Sequence, residues 1–421
     1  MVMQRRDFLK LSAATALLGA APPFAMASGK SRQRVVVIGG GYAGATAAKY
    51  IRMWSKGGID VTVVEPAPHF ISCPMSNLVL GGNKAITDLT FSYGALTQNH
   101  GIQWVRDTVT AVNPDTRSIT MKRGQLAYDR LILAPGIDFI YDGLPSLQSE
   151  QAQAQIPHAW KAGQQTVNLQ KQLQAMPDGG VFVITVPLMP FRCPPGPSER
   201  ACQVAFYLKQ HNPRAKIIVL DANPDMVSKK ALFTQAWAEL YPGMIDYRPN
   251  SLVVDVNVKT RTVQTEFDTV ECDVLNVIPP QRAGKPAQLS GVVNVDERWC
   301  DVDFVTYEST AVPPIHVIGD AISAGLPKSA HMATSQAHVC ASAVVALMQD
   351  QSPDTAPVFA NTCYSFVDDS RAMHVANVYR YDPLKKMMLP AEGGGLSESP
   401  TELEGNYARY WAQNIWSDVL T

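Results

Sequence analysis

The sequence predicts an α/β chain of two halves, each built on a strand-helix-strand unit of a parallel sheet, followed by a smaller α+β region. Three observations carry this. The β-branched run Val35 to Ile38 passes directly into Gly39-Gly40-Gly41-Tyr42-Ala43-Gly44 and a helical stretch from Ala45 to Met53. A second unit joins the strand Gly180 to Val186 to the strand Lys216 to Leu220, which ends at Asp221. Residues from 355 to 421 carry no such pattern. With 421 residues, 46% of them hydrophobic and 17% charged, the chain can bury two or three cores, and neither disorder nor a fibrous class fits.

In the first unit a strand from Val61 to Val64 ends at Glu65. This gives G-x-G-x-x-G at Gly39, Gly41 and Gly44 with an acidic residue roughly 20 positions on, the Rossmann-like arrangement of a dinucleotide site. Gly39 permits the turn, Gly41 lets backbone N–H groups approach a pyrophosphate, and Gly44 allows close helix-strand packing. Glu65 can accept hydrogen bonds from the adenosine ribose hydroxyls. Two more segments belong to this half by pattern: YDRLILAPG, ending at Pro135-Gly136, and IHVIGD, ending at Gly319-Asp320. A helix is expected from near Ser329 to Met348. The second unit breaks the fingerprint, because Pro187, Pro190, Pro194, Pro195 and Pro197 crowd the loop after its first strand. Proline removes the N–H donors that a phosphate needs, so a nicotinamide dinucleotide is not expected as a substrate.

The N-terminus reads as a twin-arginine signal over residues 1–27: Arg5-Arg6, an apolar run from Leu11 to Ala21 too short to span a bilayer, and Ala25-Met26-Ala27 as cleavage site. The mature chain would be exported folded to the periplasm, without stable membrane insertion. A net charge of -1 and 36 scattered Lys and Arg exclude a nucleic-acid partner. The seven cysteines are Cys73, Cys193, Cys202, Cys272, Cys300, Cys340 and Cys363. They form no CxxC pair, so no metal site is expected, and there is no CxxCH, so any haem belongs to another chain. Spacing alone leaves their pairing open.

The fingerprint, YDRLILAPG and IHVIGD together resemble the two-dinucleotide-binding-domain flavoproteins, the glutathione-reductase-like superfamily. That resemblance implies FAD, with Asp320 on the flavin ribityl chain and the N-terminus of the helix after Ser329 facing the flavin. Beyond this, RVVVIGGGYAGATAAKYI, PHAWKAGQQT, FRCPPGPSERA, NVIPPQRAGK, HVIGDA, PKSAHMATSQ and NTCYS look like the flavoprotein subunit of flavocytochrome c sulfide dehydrogenase. The family implies FAD held covalently by a thioether to Cys73, and a redox-active disulfide between Cys193 and Cys363. It also implies a proton acceptor at Glu199, for which the plain reading is a surface carboxylate paired with Arg200. Lys328 would offset charge at the flavin or simply be solvated. Cys202, Cys272, Cys300 and Cys340 read as packing residues.

The domains expected are an FAD-binding domain over 31–146 and 280–353, a second Rossmann-like domain over 147–279 without an NAD site, and a C-terminal interface domain over 354–421. In the last, Tyr407, Tyr410, Trp411 and Trp416 lie at near-helical spacing and read as core. The activity implied is oxidation of sulfide to sulfur or polysulfide, with electrons passed singly to a c-type cytochrome. A sulfide:quinone oxidoreductase is the leading alternative, disfavoured by a tail from Asn406 to Thr421 whose only charges are Arg409 and Asp418. A thiol-exchange flavoprotein partner of a sulfur-oxidising system is the other.

Overall fold

A computed structural model describes residues 32–421, so the expected signal at 1–27 lies outside the described residues. The strand Gln33–Ile38 is the centre of a five-stranded parallel sheet, ordered Ile315–Val317, Arg130–Leu133, Gln33–Ile38, Ile59–Val64, Gln103–Val105. Its four residues Val35 to Ile38 are all buried, as a strand covered on both faces requires. Helix α1 (Tyr42–Trp54) starts three residues before the sequence expectation, because Gly41 is its N-cap and Tyr42, Ala43 and Gly44 make the first turn.

The second half is a four-stranded parallel sheet ordered Ile245–Arg248, Lys216–Asp221, Val181–Val186, Val274–Val277. Alternation along its central strand divides two cores: Phe182, Ile184 and Val186 face one, and Val183 faces the other. Helix α2 (Gly196–His211) covers the first of these faces with Ala201, Cys202, Ala205 and Leu208. The chain returns to the first half through an antiparallel pair, Ile137–Phe139 with Gln281–Ala283. Helix α3 (Ala330–Met348) begins where the sequence places it, since the Ser329 hydroxyl accepts the Met332 N–H. Its small residues Ala333, Ala337 and Ala341 join Ala45, Ala47 and Ala48 of α1 in one core.

The C-terminal region is an antiparallel sheet of Val358–Phe366, Ala372–Asp382 and Met387–Leu396, followed by helix α4 (Glu402–Leu420). It is packed into both halves. Phe359, Tyr379, Ile415 and Val419 enter the first core, while Val367 and Met373 enter the core under α2. The aromatic stripe on α4 divides: Trp411 and Trp416 pack inward, but Tyr407 and Tyr410 are 50% and 63% exposed, on a face shared with exposed Leu403. The reading of all four as core is therefore corrected. Cys202, Cys300 and Cys340 are buried, whereas Cys272 is half-buried and its thiol donates to the Arg261 carbonyl. Among the described residues no helix is long and apolar enough to cross a membrane.

Two buried imidazoles make the fold sensitive to acid. His158 stacks on Phe139, and its Nδ1 accepts the Trp160 N–H. His316 donates from Nδ1 to the Thr306 carbonyl and accepts at Nε2 from Arg130. Burial pulls their pKa values from 6.5 to about 3 and about 4, respectively. Between pH 6.5 and those values the unfolded chain binds two protons that the folded chain does not. Their contribution is therefore whole above pH 6.5 and is lost as pH falls below it, with a limiting slope of about 2.7 kcal/mol per pH unit for the two groups. In urea unfolding between pH 6 and 4.5, His158→Gln is expected to lose less stability than wild type, by up to about 1.4 kcal/mol per pH unit.

Candidate active site

A single cavity of about 710 Å³ runs from the glycines after the first strand to three cysteines drawn from distant parts of the chain. At its polar end Gly39 has φ 104°, and a Cβ there would lie 2.2 Å from the Ala134 carbonyl oxygen. A Cβ on Gly44 would lie 1.9 Å from the Gly39 carbonyl oxygen, whereas a Cβ on Gly41 would meet nothing within 4 Å. Gly39 and Gly44 thus hold strand and helix together, and Gly41 faces open space. No side chain caps α1 and no acidic residue stands in its first turn, so its N–H groups remain available to an anion. Glu65 lines the same end and fixes the turn, accepting from the N–H groups of Gly40 (2.7 Å) and Ala67 (2.8 Å).

Along the middle lie Pro135, Gly136, Gly319 and Asp320, with Ala330 and His331 from the start of α3. Asp320 Oδ1 is buried and has no hydrogen-bond partner in the protein. Such a carboxylate oxygen is costly unless a donor from outside the chain reaches it. Burial raises its pKa, while Arg192 and Lys328 act in the opposite sense.

Cys73, Cys193, Cys363 and Glu199 line the other end. Cys73 follows Ser72, whose fully buried hydroxyl donates to the Pro74 carbonyl and receives the Trp416 indole N–H at 2.9 Å. Cys193 has φ 59°, a left-handed conformation held by its N–H on the Lys328 carbonyl (2.8 Å) and by its own carbonyl on Gly196 N (2.9 Å). A Cβ on Gly196 would lie 2.9 Å from Cys193 Sγ and 2.7 Å from Trp160, so glycine there allows the sulfur its place. Cys363 lies on the strand Val358–Phe366. The Cys193 thiol is pushed well up by burial, with Glu199 and Cys363 adding to the effect. Both cysteines are free thiols here, so the disulfide implied by the resemblance is not formed in this structure.

Glu199 is not paired with Arg200. Its Oε1 accepts from Phe366 N (2.9 Å) and its Oε2 from Asn77 Nδ2 (2.8 Å), and burial raises its pKa. Arg200 is instead consumed by Asn77, Asn276 and the carbonyls of His158 and Ala159. Lys328 does not line the cavity: its ammonium donates to the carbonyls of Asp320 and Ile322 and lies over Trp299. The cavity also holds Asn77 and Arg192, which the sequence reading passed over, and Trp411, which it read only as core. Arg192 stood in the proline loop that was read only for the donors it lacks.

At the equivalent end of the second sheet Asp221 is occupied by the chain itself. Its Oδ1 takes the backbone and side-chain N–H groups of Asn223, and its Oδ2 takes the Tyr247 hydroxyl. Asn223 in turn holds the proline loop through Pro187 O and Met189 N.

A family model for the central part of the sulfide dehydrogenase [flavocytochrome c] flavoprotein chain matches residues 166–279, and one for the flavin-binding part of flavocytochrome c sulphide dehydrogenase matches 355–420. The sulfide dehydrogenase flavoprotein chain of Chlorobaculum thiosulfatiphilum is 53% identical over 47 residues, which cover 96% of that sequence and 11% of this one. The chain belongs to the family of flavocytochrome c sulfide dehydrogenase flavoprotein chains.

Residues 33–171 also match the pyridine nucleotide-disulphide oxidoreductase model, whose mixed α/β fold this family shares. The mitochondrial sulfide:quinone oxidoreductase of Mus musculus is 25% identical over 355 residues, 78% of this chain and 74% of that one. In fold, the sulfide:quinone oxidoreductase of Aquifex aeolicus aligns with TM-score 0.74 at 18% identity over 92% of this chain and 91% of that one. The covalent putidaredoxin reductase-putidaredoxin complex aligns at 0.63, with 17% identity, over 92% and 93%. The chain is thus a flavin-dependent oxidoreductase of a sulfide-oxidising family.

The cavity fits the FAD that membership brings. Gly41 leaves room for a pyrophosphate, the α1 N-terminus offers unused donors, and Asp320 Oδ1 lacks only a donor such as a ribityl hydroxyl. Loss of that charged hydrogen bond is expected to weaken FAD roughly ten- to a hundredfold. Asp320→Ala, compared with Asp320 on a Cys73→Ser background that removes the sulfur at that position, should reveal this in flavin retained through gel filtration.

Proposed function

We propose that this chain oxidises sulfide at a Cys193–Cys363 disulfide beside FAD and delivers the electrons singly to a c-type cytochrome. The observation that carries the reading is the convergence of Cys73, Cys193, Cys363 and Glu199 on the cavity that also holds the dinucleotide glycines. A disulfide is an electrophile that hydrosulfide attacks, giving a persulfide on one cysteine and a thiolate on the other. Bound FAD would supply an acceptor for an electron pair that can be released one electron at a time. Cys73, within a turn anchored by Ser72, is the residue to which the flavin would be joined, which would keep the cofactor through export by the twin-arginine route.

Glu199 is suited to take the proton of incoming hydrogen sulfide, because burial raises its pKa above that of a free carboxyl and its two hydrogen bonds aim it. Arg192, on the same cavity wall, adds positive charge that favours an anionic substrate. The closure of Asp221 by Asn223 and Tyr247 supports the absence of an NAD site in residues 147–279.

A quinone acceptor is the second reading, favoured by the mouse relative. Against it, the two charges of the tail from Asn406 are turned to the protein: Arg409 donates to the Asp369 carbonyl, and Asp418 accepts from Tyr50. In stopped flow under anaerobic conditions, sulfide is expected to bleach the flavin of wild type rapidly and that of Cys363→Ser at least about a hundredfold more slowly. Reoxidation by cytochrome c, and not by a soluble quinone, is the expected second phase. Equal bleaching in both proteins would overturn the disulfide route, and reoxidation by quinone alone would overturn the acceptor.

A further inference from the structure

Lys229 has no part in the chemistry described so far. It ends the loop after the strand Lys216–Asp221 with φ 54°, and its side chain is carried away from its own sheet toward the C-terminal one. It is 6% exposed, and Nζ donates to the Cys363 carbonyl (2.9 Å), the Ser365 hydroxyl (2.8 Å) and the Met373 carbonyl (3.4 Å). All three acceptors are neutral. An ammonium buried on neutral oxygens costs stability; Glu199 offsets part of that cost without a direct hydrogen bond, and a negative charge forming on Cys363 would offset more. Burial pulls its pKa down to about 8, and the groups that push it back are, in order, Cys363, Glu199, Cys193 and Glu404.

We infer that Lys229 is a positioning residue of the redox site: anchored on the Cys363 backbone, its ammonium stabilises the thiolate that appears on Cys363 when the Cys193–Cys363 disulfide opens, and so makes that disulfide the stronger oxidant. The inference rests on the disulfide reading proposed above. In the step concerned, hydrosulfide sulfur bonds to Cys193 Sγ and the Cys193–Cys363 bond breaks. Its electron pair and the negative charge go to Cys363 Sγ, and the proton stays on the substrate sulfur until a base takes it. Cys363 is the better leaving side, because burial and Glu199 both oppose a thiolate on Cys193. The same opening by a small thiol obeys the same balance, so the effect is an equilibrium property measurable without turnover.

The full FAD-loaded chain is equilibrated in a series of thiol-disulfide buffers, quenched by alkylation, and the Cys193–Cys363 crosslink is counted by peptide mass spectrometry. Lys229→Met is expected to shift the equilibrium at least about tenfold toward the disulfide, equivalent to about 30 mV for two electrons. Ser365→Ala, which keeps the charge but loosens its anchor, should shift it less in the same direction. Thermal unfolding of Lys229→Met at or above the wild-type midpoint would accord with removal of a buried charge. Should Lys229→Met fail to fold, Ser365→Ala decides. A crosslink in wild type with both variants within about twofold of it would overturn the role of Lys229 and leave the disulfide standing. No crosslink in wild type under any buffer would overturn the disulfide, and this inference with it.

Discussion

The carboxylate of Glu199 ties together the three chain segments that bear the cavity cysteines. It accepts from Asn77, four residues past Cys73, and from the backbone of Phe366, three residues past Cys363, and it stands on the first turn of α2 just after Cys193. Each bond is a charge-assisted hydrogen bond in a water-poor setting, the kind that fixes geometry most strongly. Removing the carboxylate would leave the buried Phe366 N–H without its acceptor and the Asn77 amide with only the Gly196 carbonyl. Glu199 is therefore both a structural clasp and an ionisable group of the cavity that the cysteines line. Burial raises its proton affinity, and the same two bonds that join the cysteine-bearing segments hold that rise in check.

The second half shows how a nucleotide fold can be turned to another use. Its sheet keeps the parallel order and the acidic strand end, yet Asn223 and Tyr247 occupy Asp221, and the proline loop is drawn over the opening. With no ligand to cradle, that loop carries Cys193 in a left-handed conformation and Arg192 into the cavity of the other half. The next loop carries Lys229 to the back of Cys363. Loops that would have met a dinucleotide instead meet the C-terminal sheet.

What the sequence revealed follows the range of the interactions. The glycine turn and Glu65 rest on contacts within one strand-helix-strand unit, and the Gly319-Asp320 turn and the Ser329 cap on contacts within a strand end and a helix start, so the residues themselves announce them. The convergence of Cys193 and Cys363 on one cavity has no local period. It is a property of how the sheet Val358–Leu396 docks on α2, and only the family resemblance suggested it. Lys229 and Arg192 were invisible for a related reason, since a lysine or arginine in a loop reads as solvated until packing buries it. The stripe on α4 misled in the other direction: its spacing is helical, but one edge, with Tyr407 and Tyr410, turns outward. Periodicity marks a face without saying how wide the covered part is.

The buried charges around the cysteines follow one pattern. Arg200 has four acceptors and lies over Trp160, so its charge is solvated by the protein in every state of the site. Glu199 and Lys229 are held by neutral groups alone, and burial pushes both toward their uncharged forms, the first upward and the second down to about 8. A fold selected for stability alone would gain by replacing such groups with apolar ones of similar volume. Their retention is understandable if counter-charge is supplied in turn by thiolate and by proton as the disulfide opens and closes. The site would then be least comfortable at rest and best satisfied midway through its chemistry, the order of stabilities that favours turnover.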